Sequence, residues 1–252
     1  MQAFSLAIVQ GITEWLPISS SGHLVIIKEI WGVSAPISFD LTLHLGTLVA
    51  VCLYFRKDLL EIARSVFGLE TKSEHFRTAV LVAVASVPAA LAGYLLNDLF
   101  ESLFHNLFAV GAGLLVTAST LLVSRIGKGG RRLDVARALL IGAFQAVAIA
   151  PGVSRSGMTI SSALLSGVEK ASAFRFSFLL SIPVILGAFL YELPGIQSAS
   201  LGSEYAAGFL TSALVGYASI GIMRRAVLSN RLSLFSVYCA LLGITLLVYS
   251  IL

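Results

Sequence analysis

A chain of 252 residues with 57% hydrophobic and only 12% charged content, and a mean hydropathy of +0.93, is not built for water. Soluble domains carry about 25% charged residues, so about half of the usual solubilising charge is missing. The excess of 17 Lys and Arg over 13 Asp and Glu marks which loops face the cytoplasm rather than an anionic partner, and nucleic-acid binding is excluded.

A helix needs about 20 apolar residues to cross a hydrocarbon core of about 30 Å. In chain order, Met1 to Ile30 is apolar but broken in the middle by Pro, Gly and clustered Ser, and is not a simple span. It has neither a basic leader nor an A-x-A cleavage site, so no separate signal peptide is expected. Spans are predicted at about Phe39 to Phe55, Ala79 to Leu96 and Leu107 to Val123. A second broken stretch, Ala136 to Val168, follows, and then spans at about Phe176 to Tyr191, Ala206 to Met223 and Leu232 to Leu252. Cys52 and Cys239 stand alone in apolar runs and read as buried thiols, not a disulfide.

Loop charge sets the expected topology. Five cations in Arg56 to Arg77, five more in Arg125 to Arg137, and Arg224, Arg225 and Arg231 assign three loops to the cytoplasm. Asn97 to Asn106 and Tyr191 to Tyr205 contain acids but no Lys or Arg and belong outside. The six spans then alternate. The broken segments must each enter and leave on one face, Ala136 to Val168 from the cytoplasm and Met1 to Ile30 from outside. A shift of 135 residues lays Gln10 on Gln145, Ser19 on Ser154, Ser21 on Ser156, Gly22 on Gly157 and Phe39 on Phe174. The fold expected is therefore an all-α polytopic membrane protein: one integral domain, six spanning helices, two re-entrant hairpins, and an inverted repeat with halves at about 1–125 and 126–252. Transporters build midplane sites from such broken helices.

Two polar clusters carry the chemistry. Gln10, Thr13, Glu14, Ser19, Ser20, Ser21 and His23 crowd the first broken segment, where ionisable groups are expensive. Gln10 and Glu14, four apart, share a helix face that Pro17 ends. Ser19 to Gly22 then leads into apolar Leu24 to Ile27, so its backbone N–H groups form a helix N-terminus suited to an anion. The second cluster is Pro151-Gly-Val-Ser-Arg-Ser-Gly157 with Gln145 upstream, and Arg155 is the only cation in the thirty-two residues between Arg137 and Lys170. Its planar fork of donors suits phosphate. A carboxylate, an imidazole, a guanidinium and several hydroxyls together match phosphoryl transfer, which needs a nucleophile, a proton carrier and charge neutralisation. Blander readings exist singly: an interfacial His23, a Glu14 at the aqueous boundary, serines bonded to preceding carbonyls. Asp40 and His44 form either a local pair or part of a cavity lining. His75 and His105 read as solvated loop residues, and Gly111, Gly113 and Ala118 as close helix packing.

At these residues the chain resembles the undecaprenyl-diphosphatases, also called bacitracin-resistance proteins. The matching motifs are Gly11-Ile-Thr-Glu-Trp-Leu-Pro-Ile-Ser-Ser-Ser-Gly-His23, Pro151-Gly-Val-Ser-Arg-Ser-Gly157 and Phe176-Ser-Phe-Leu-Leu-Ser-Ile-Pro183. The resemblance implies a hydrolase that removes the terminal phosphate of the C55 polyprenyl diphosphate carrier of cell-wall synthesis. It also implies a divalent cation, Mg2+ or Ca2+, and a plasma-membrane location with the active site facing outward. Carried over by position, it makes Glu14 an acidic residue for metal or diphosphate, Ser20 and His23 the contenders for nucleophile and acid/base, and Arg155 the neutraliser of the transferring phosphoryl group. Ser19, Ser21, Ser154 and Ser156 fall on phosphate-contacting hydroxyls, with Gly22, Gly157, Gln10 and Gln145 beside them as expected substrate-binding positions. Many members have an acid where this chain has Gln10, so the expected cation is held mostly by the diphosphate, as Mg2+ commonly is, with Glu14 the one candidate metal ligand.

A flippase or transporter of the polyprenyl phosphate, without hydrolysis, is the second reading, since the architecture is shared. The acid phosphatases that include phosphatidic acid phosphatases also use Ser-Gly-His and Ser-Arg-x5-His; Ser21-Gly-His23 and Ser154-Arg155 match, but Ser161 replaces the second His. Membrane lipids are the expected surroundings, and the oligomeric state stays open, a homodimer included.

Overall fold

The computed structural model describes residues 2–32, 36–127, 129–193 and 202–251. The chain forms helices α1 (Gln2–Trp15), α2 (Ser20–Trp31), α3 (Ile37–Tyr54), α4 (Arg56–Phe67), α5 (Glu74–Leu95) and α6 (Asn97–Phe104). They are followed by α7 (Leu107–Val123), α8 (Val135–Val147), α9 (Arg155–Leu165), α10 (Lys170–Glu192), α11 (Ser203–Leu228) and α12 (Leu232–Tyr249). Extended pairing among the described residues is limited to an isolated bridge between Arg131 and Val168. Six helices are long and apolar enough to cross a bilayer: α3, α5, α7 with its short 3-10 extension, α10, α11 and α12. The chain is a multi-pass, all-α membrane protein.

The broken segments are the helical hairpins α1–α2 and α8–α9. Their longest member, α1, has 14 residues, about 21 Å at 1.5 Å per residue, short of the hydrocarbon thickness. Each hairpin restarts from a serine cap: Ser19 Oγ accepts from the N–H of Gly22 at 3.2 Å, and Ser154 Oγ accepts from that of Gly157 at 3.1 Å. Such caps satisfy first-turn donors that lipid cannot.

Polar contacts define two ends of the bundle. At one, Arg175 pairs with Asp58 at 2.5 Å, Arg132 pairs with Glu74, Arg77 donates to the carbonyl of Leu133, and Arg137 donates to that of Ser166. This gathers two of the three basic loops, together with Ser166 and Arg175, at one end. At the other, Lys28 pairs with Asp40, Ser38 and Tyr205 share a hydroxyl contact at 3.0 Å, and Leu6, Leu24, Phe39, Leu43 and Tyr205 cluster. α1 packs along α11 and α8 along α5, while α3 meets α10 and α7 meets α12. Exchange of α1, α2, α3, α5 and α7 with α8 through α12 maps these pairs onto one another.

Two segments expected as loops contain helices. Arg56–Phe67 folds as amphipathic α4, and Asn97–Phe104 as short α6. Neither is apolar or long enough to register as a span, and charge counting treats both as connectors. His75 accordingly lies in the first turn of α5 rather than in a loop. The stretch 194–201 of the predicted outer loop, and Lys128, lie outside the described residues.

The hairpin tips meet between the ends. A Cβ on Gly157 would stand 3.4 Å from Cβ of Pro17, and one on Gly22 3.1 Å from Cα of Gly152. Ser156 Oγ donates to the carbonyl of Leu16 at 3.2 Å. α7 holds the second tip, because Thr117 donates to the carbonyl of Gly152 at 3.0 Å and accepts from the N–H of Ser154 at 2.9 Å. Gly111 and Gly243 let α7 and α12 touch backbone to backbone, as their small size predicts. Gly152 is required twice: φ is +83°, and a Cβ would strike the carbonyl oxygen of Val110. Gly152→Ala should cost about 2–4 kcal/mol from strain and overpacking and lower the unfolding midpoint in detergent. Gly187→Ala, inside α10 where a Cβ meets open space, should not lower the midpoint and should raise it slightly, by about 0.5–1 kcal/mol of stability.

Candidate active site

At the junction of the tips lies a network centred on Glu14. Its Oε1 receives Arg155 Nη2 at 2.6 Å, and its Oε2 receives Ser20 Oγ at 2.6 Å and Gln10 Nε2 at 3.0 Å. Glu14 comes from α1, Ser20 from the first turn of α2 and Arg155 from the first residue of α9, so the network exists only where the two hairpins touch. Glu14 is 8% exposed, whereas Ser20, Ser21 and Arg155 are half-buried and open to a ligand. The Arg155 guanidinium lies over the Trp15 ring at 5.3 Å, and Trp15 stacks on Phe178 of α10 at 5.1 Å. That apolar backing fixes the fork by packing as well as charge.

The hydroxyls flank this centre. Ser19 Oγ lies 3.2 Å from Ser21 Oγ, and Ser154 Oγ 3.3 Å from Ser156 Oγ, the same arrangement at equivalent places on each tip. Ser19 holds φ at +68°, a conformation rare for a residue with a Cβ, and such strain persists only where surroundings enforce it. The first-turn N–H groups of α2 and α9 that their caps do not take have no intrahelical acceptor.

His23 stands one turn beyond Ser20 and is not bonded to Ser20 or Glu14. Its Nδ1 lies 2.8 Å from the carbonyl of Ser19 and its Nε2 2.6 Å from the Tyr238 hydroxyl of α12. The group adjacent to Ser20 is thus Glu14 rather than His23. His44 contacts Asp40 locally only through the backbone, its Nδ1 facing the Asp40 carbonyl at 2.9 Å; its Nε2 lies 3.8 Å from Glu14 Oε2, and the Asp40 carboxylate pairs with Lys28. Gln145 is 1% exposed on α8, with no partner for either side-chain polar atom among the described residues. Trp15, His44, Thr117 and Tyr238 complete the surroundings of a site whose sequence pattern named none of them as such, apart from the pairing question at His44.

The donor set does not make a protein-held cage for a divalent cation. Both oxygens of Glu14 are engaged, and Gln10 Oε1, buried without a partner, adds a single neutral oxygen. Among the described residues no group of three His, Cys, Asp or Glu side chains is placed to hold a metal. Hard cations take six or more oxygens, so two donors are too few.

The family model for bacitracin resistance protein BacA matches residues 3–245. The chain belongs to the BacA family. An undecaprenyl-diphosphatase of Korarchaeum cryptofilum is 40% identical over 257 residues, covering 98% of this chain and 97% of the relative. One from Desulfosudis oleivorans is 42% identical over 262 residues with 96% of each covered, and one from Rubrobacter xylanophilus is 42% identical over 254 residues, with 94% and 93% covered. The matched range of this BacA-family chain takes in both hairpins except for Gln2 at the start of α1.

Removing one partner of the buried pair strands the other charge. Arg155→Ala should therefore destabilise the fold by about 3–5 kcal/mol. The double variant Glu14→Gln/Arg155→Met should recover most of that loss in thermal unfolding, because no buried charge is left unpaired.

Proposed function

We propose that this protein is an integral membrane phosphatase that cleaves undecaprenyl diphosphate to the monophosphate and inorganic phosphate, returning the lipid carrier to cell-wall synthesis. The observation that carries it is the convergence of Ser20, Glu14 and Arg155 from two hairpins onto one half-buried point. Support also comes from the names of relatives such as those of Korarchaeum cryptofilum and Desulfosudis oleivorans, undecaprenyl-diphosphatases at about 40% identity. The substrate is a lipid whose headgroup reaches the hairpin junction while its prenyl chain stays in the bilayer.

Ser20 is the nucleophile in this reading. Its O–H already points at Glu14 Oε2, so the proton passes to the carboxylate as Oγ bonds the terminal phosphorus and the bridging P–O bond breaks. Arg155 exchanges its carboxylate partner for the phosphoryl oxygens, joined by first-turn amides and the Ser19, Ser21, Ser154 and Ser156 hydroxyls. Water then hydrolyses the phosphoserine, with His23 as the second proton carrier. A divalent cation, Mg2+ or Ca2+, enters on the diphosphate and offsets its charge.

The location follows from charge. Basic loops gathered at one end belong to the cytoplasm of the plasma membrane, and the α1–α2 hairpin then opens outward. The exchange of helix pairs between the halves supports an inverted repeat, with α1–α2 and α8–α9 dipping in from opposite faces.

Purified protein should release phosphate from undecaprenyl diphosphate, and chelator should suppress that release. Ser20→Ala and Arg155→Ala should each lower kcat/KM by about 100- to 1,000-fold, the scale of losing a charge-stabilising donor. Liposomes that show headgroup translocation with no phosphate released would favour the flippase instead.

A further inference from the structure

One contact at the site belongs to no motif. Tyr238, from the last helix, places its hydroxyl 2.6 Å from His23 Nε2. The other ring nitrogen, Nδ1, lies 2.8 Å from the carbonyl oxygen of Ser19. A carbonyl only accepts, so Nδ1 carries the hydrogen, and the neutral ring presents its lone pair at Nε2. The Tyr238 O–H therefore donates to Nε2. Should His23 take up a proton there, the hydroxyl rotates and accepts from the new N–H. Tyrosine can partner both protonation states without moving its oxygen; phenylalanine can partner neither.

The placement of that hydroxyl is built rather than incidental. Two residues before it, Ser236 donates to the Ala118 carbonyl of α7 at 2.7 Å. Its immediate neighbour Cys239, fully buried, contacts the Pro17 carbonyl at the first hairpin tip at 3.6 Å. Gly243, one turn further, lies against Gly111. These contacts fix the register of α12 on α7 and on the tip. The Tyr238 ring is 43% exposed and lies nearly parallel to the imidazole, 10° apart, while His23 beneath it is 9% exposed. Tyr238 thus covers His23 on the outer surface of the bundle.

From this we infer that Tyr238 is a positioning residue for His23: while the Ser19 carbonyl sets the Nδ1–H form, Tyr238 holds Nε2 and the ring plane at one place for proton transfer, and acts on the reaction only through that ring. The inference rests on the phosphatase reading for its catalytic consequence but not for its structural one.

The experiment combines two readouts. In 15N NMR of detergent-solubilised protein, with the His23 signal identified by its loss in His23→Asn, the wild type should show His23 as the Nδ1–H tautomer with a hydrogen-bonded Nε2. Tyr238→Phe should remove the Nε2 hydrogen bond and move the Nε2 resonance to that of a free imidazole nitrogen, with Nδ1 still protonated against Ser19, while its unfolding midpoint stays near wild type. In phosphate release, Tyr238→Phe should lower kcat about tenfold with KM nearly unchanged, the scale of one hydrogen bond. In a His23→Asn background it should have no further effect. An unchanged His23 spectrum in Tyr238→Phe overturns the inference whatever the activity. So do effects of Tyr238→Phe and His23→Asn that multiply, since Tyr238 would then act elsewhere. Absence of phosphate release from the wild type, with the spectra as expected, removes the phosphatase reading and leaves the tautomer assignment standing.

Discussion

The buried pair of Glu14 and Arg155 is the interaction on which the molecule turns. Each charge alone would be expensive in this setting, and each sits on a hairpin too short to cross the membrane. Together, with Ser20 and Gln10 donating to the carboxylate and Trp15 facing the guanidinium, they satisfy one another only when the two hairpins are docked. The pair therefore couples docking of the two hairpins to assembly of the network around Glu14.

The remaining architecture keeps those tips together. Half-inserted helices expose backbone donors and carbonyls at a depth where lipid offers no partner, and the chain answers with serine caps, Thr117 and direct tip-to-tip contact. Without a hydrophobic drive between helices in a bilayer, close packing and hydrogen bonds do the assembling. α7 serves both purposes: it touches α12 through paired glycines and clamps the Gly152 turn of the second hairpin.

Most of the fold is legible in the sequence because the bilayer imposes a length rule that apolar runs either meet or fail. The six spans emerge within a few residues, and clustered Pro, Gly and Ser betray the broken segments. α4 and α6 escape the same rule, since amphipathic helices at an interface carry no span signal. At the site, Glu14, Gln10 and Ser20 are readable as a helix face and a following cap, and Arg155 as a lone cation in an apolar stretch. The partnership of Tyr238 with His23 joins residues 215 apart, with nothing around Tyr238 to distinguish it from any aromatic in a spanning helix. For the same reason the immediate neighbour of Ser20 comes from the structure: both Glu14 and His23 lie within a turn or two of it, and only the docked geometry selects Glu14.

The docking of the two tips can be measured directly. The Cβ of Pro17 and a Cβ at residue 157 are separated by 3.4 Å, close to the 3.5–4.5 Å that a disulfide spans. In a background with Cys52 and Cys239 replaced, Pro17→Cys/Gly157→Cys should cross-link under mild oxidation in native membranes, identified by mass spectrometry of the joined peptides. Pro17→Cys/Gly187→Cys should not. Folded, membrane-inserted protein in which positions 17 and 157 fail to join would mean that the hairpins do not meet, and no shared centre for Ser20, Glu14 and Arg155 would exist.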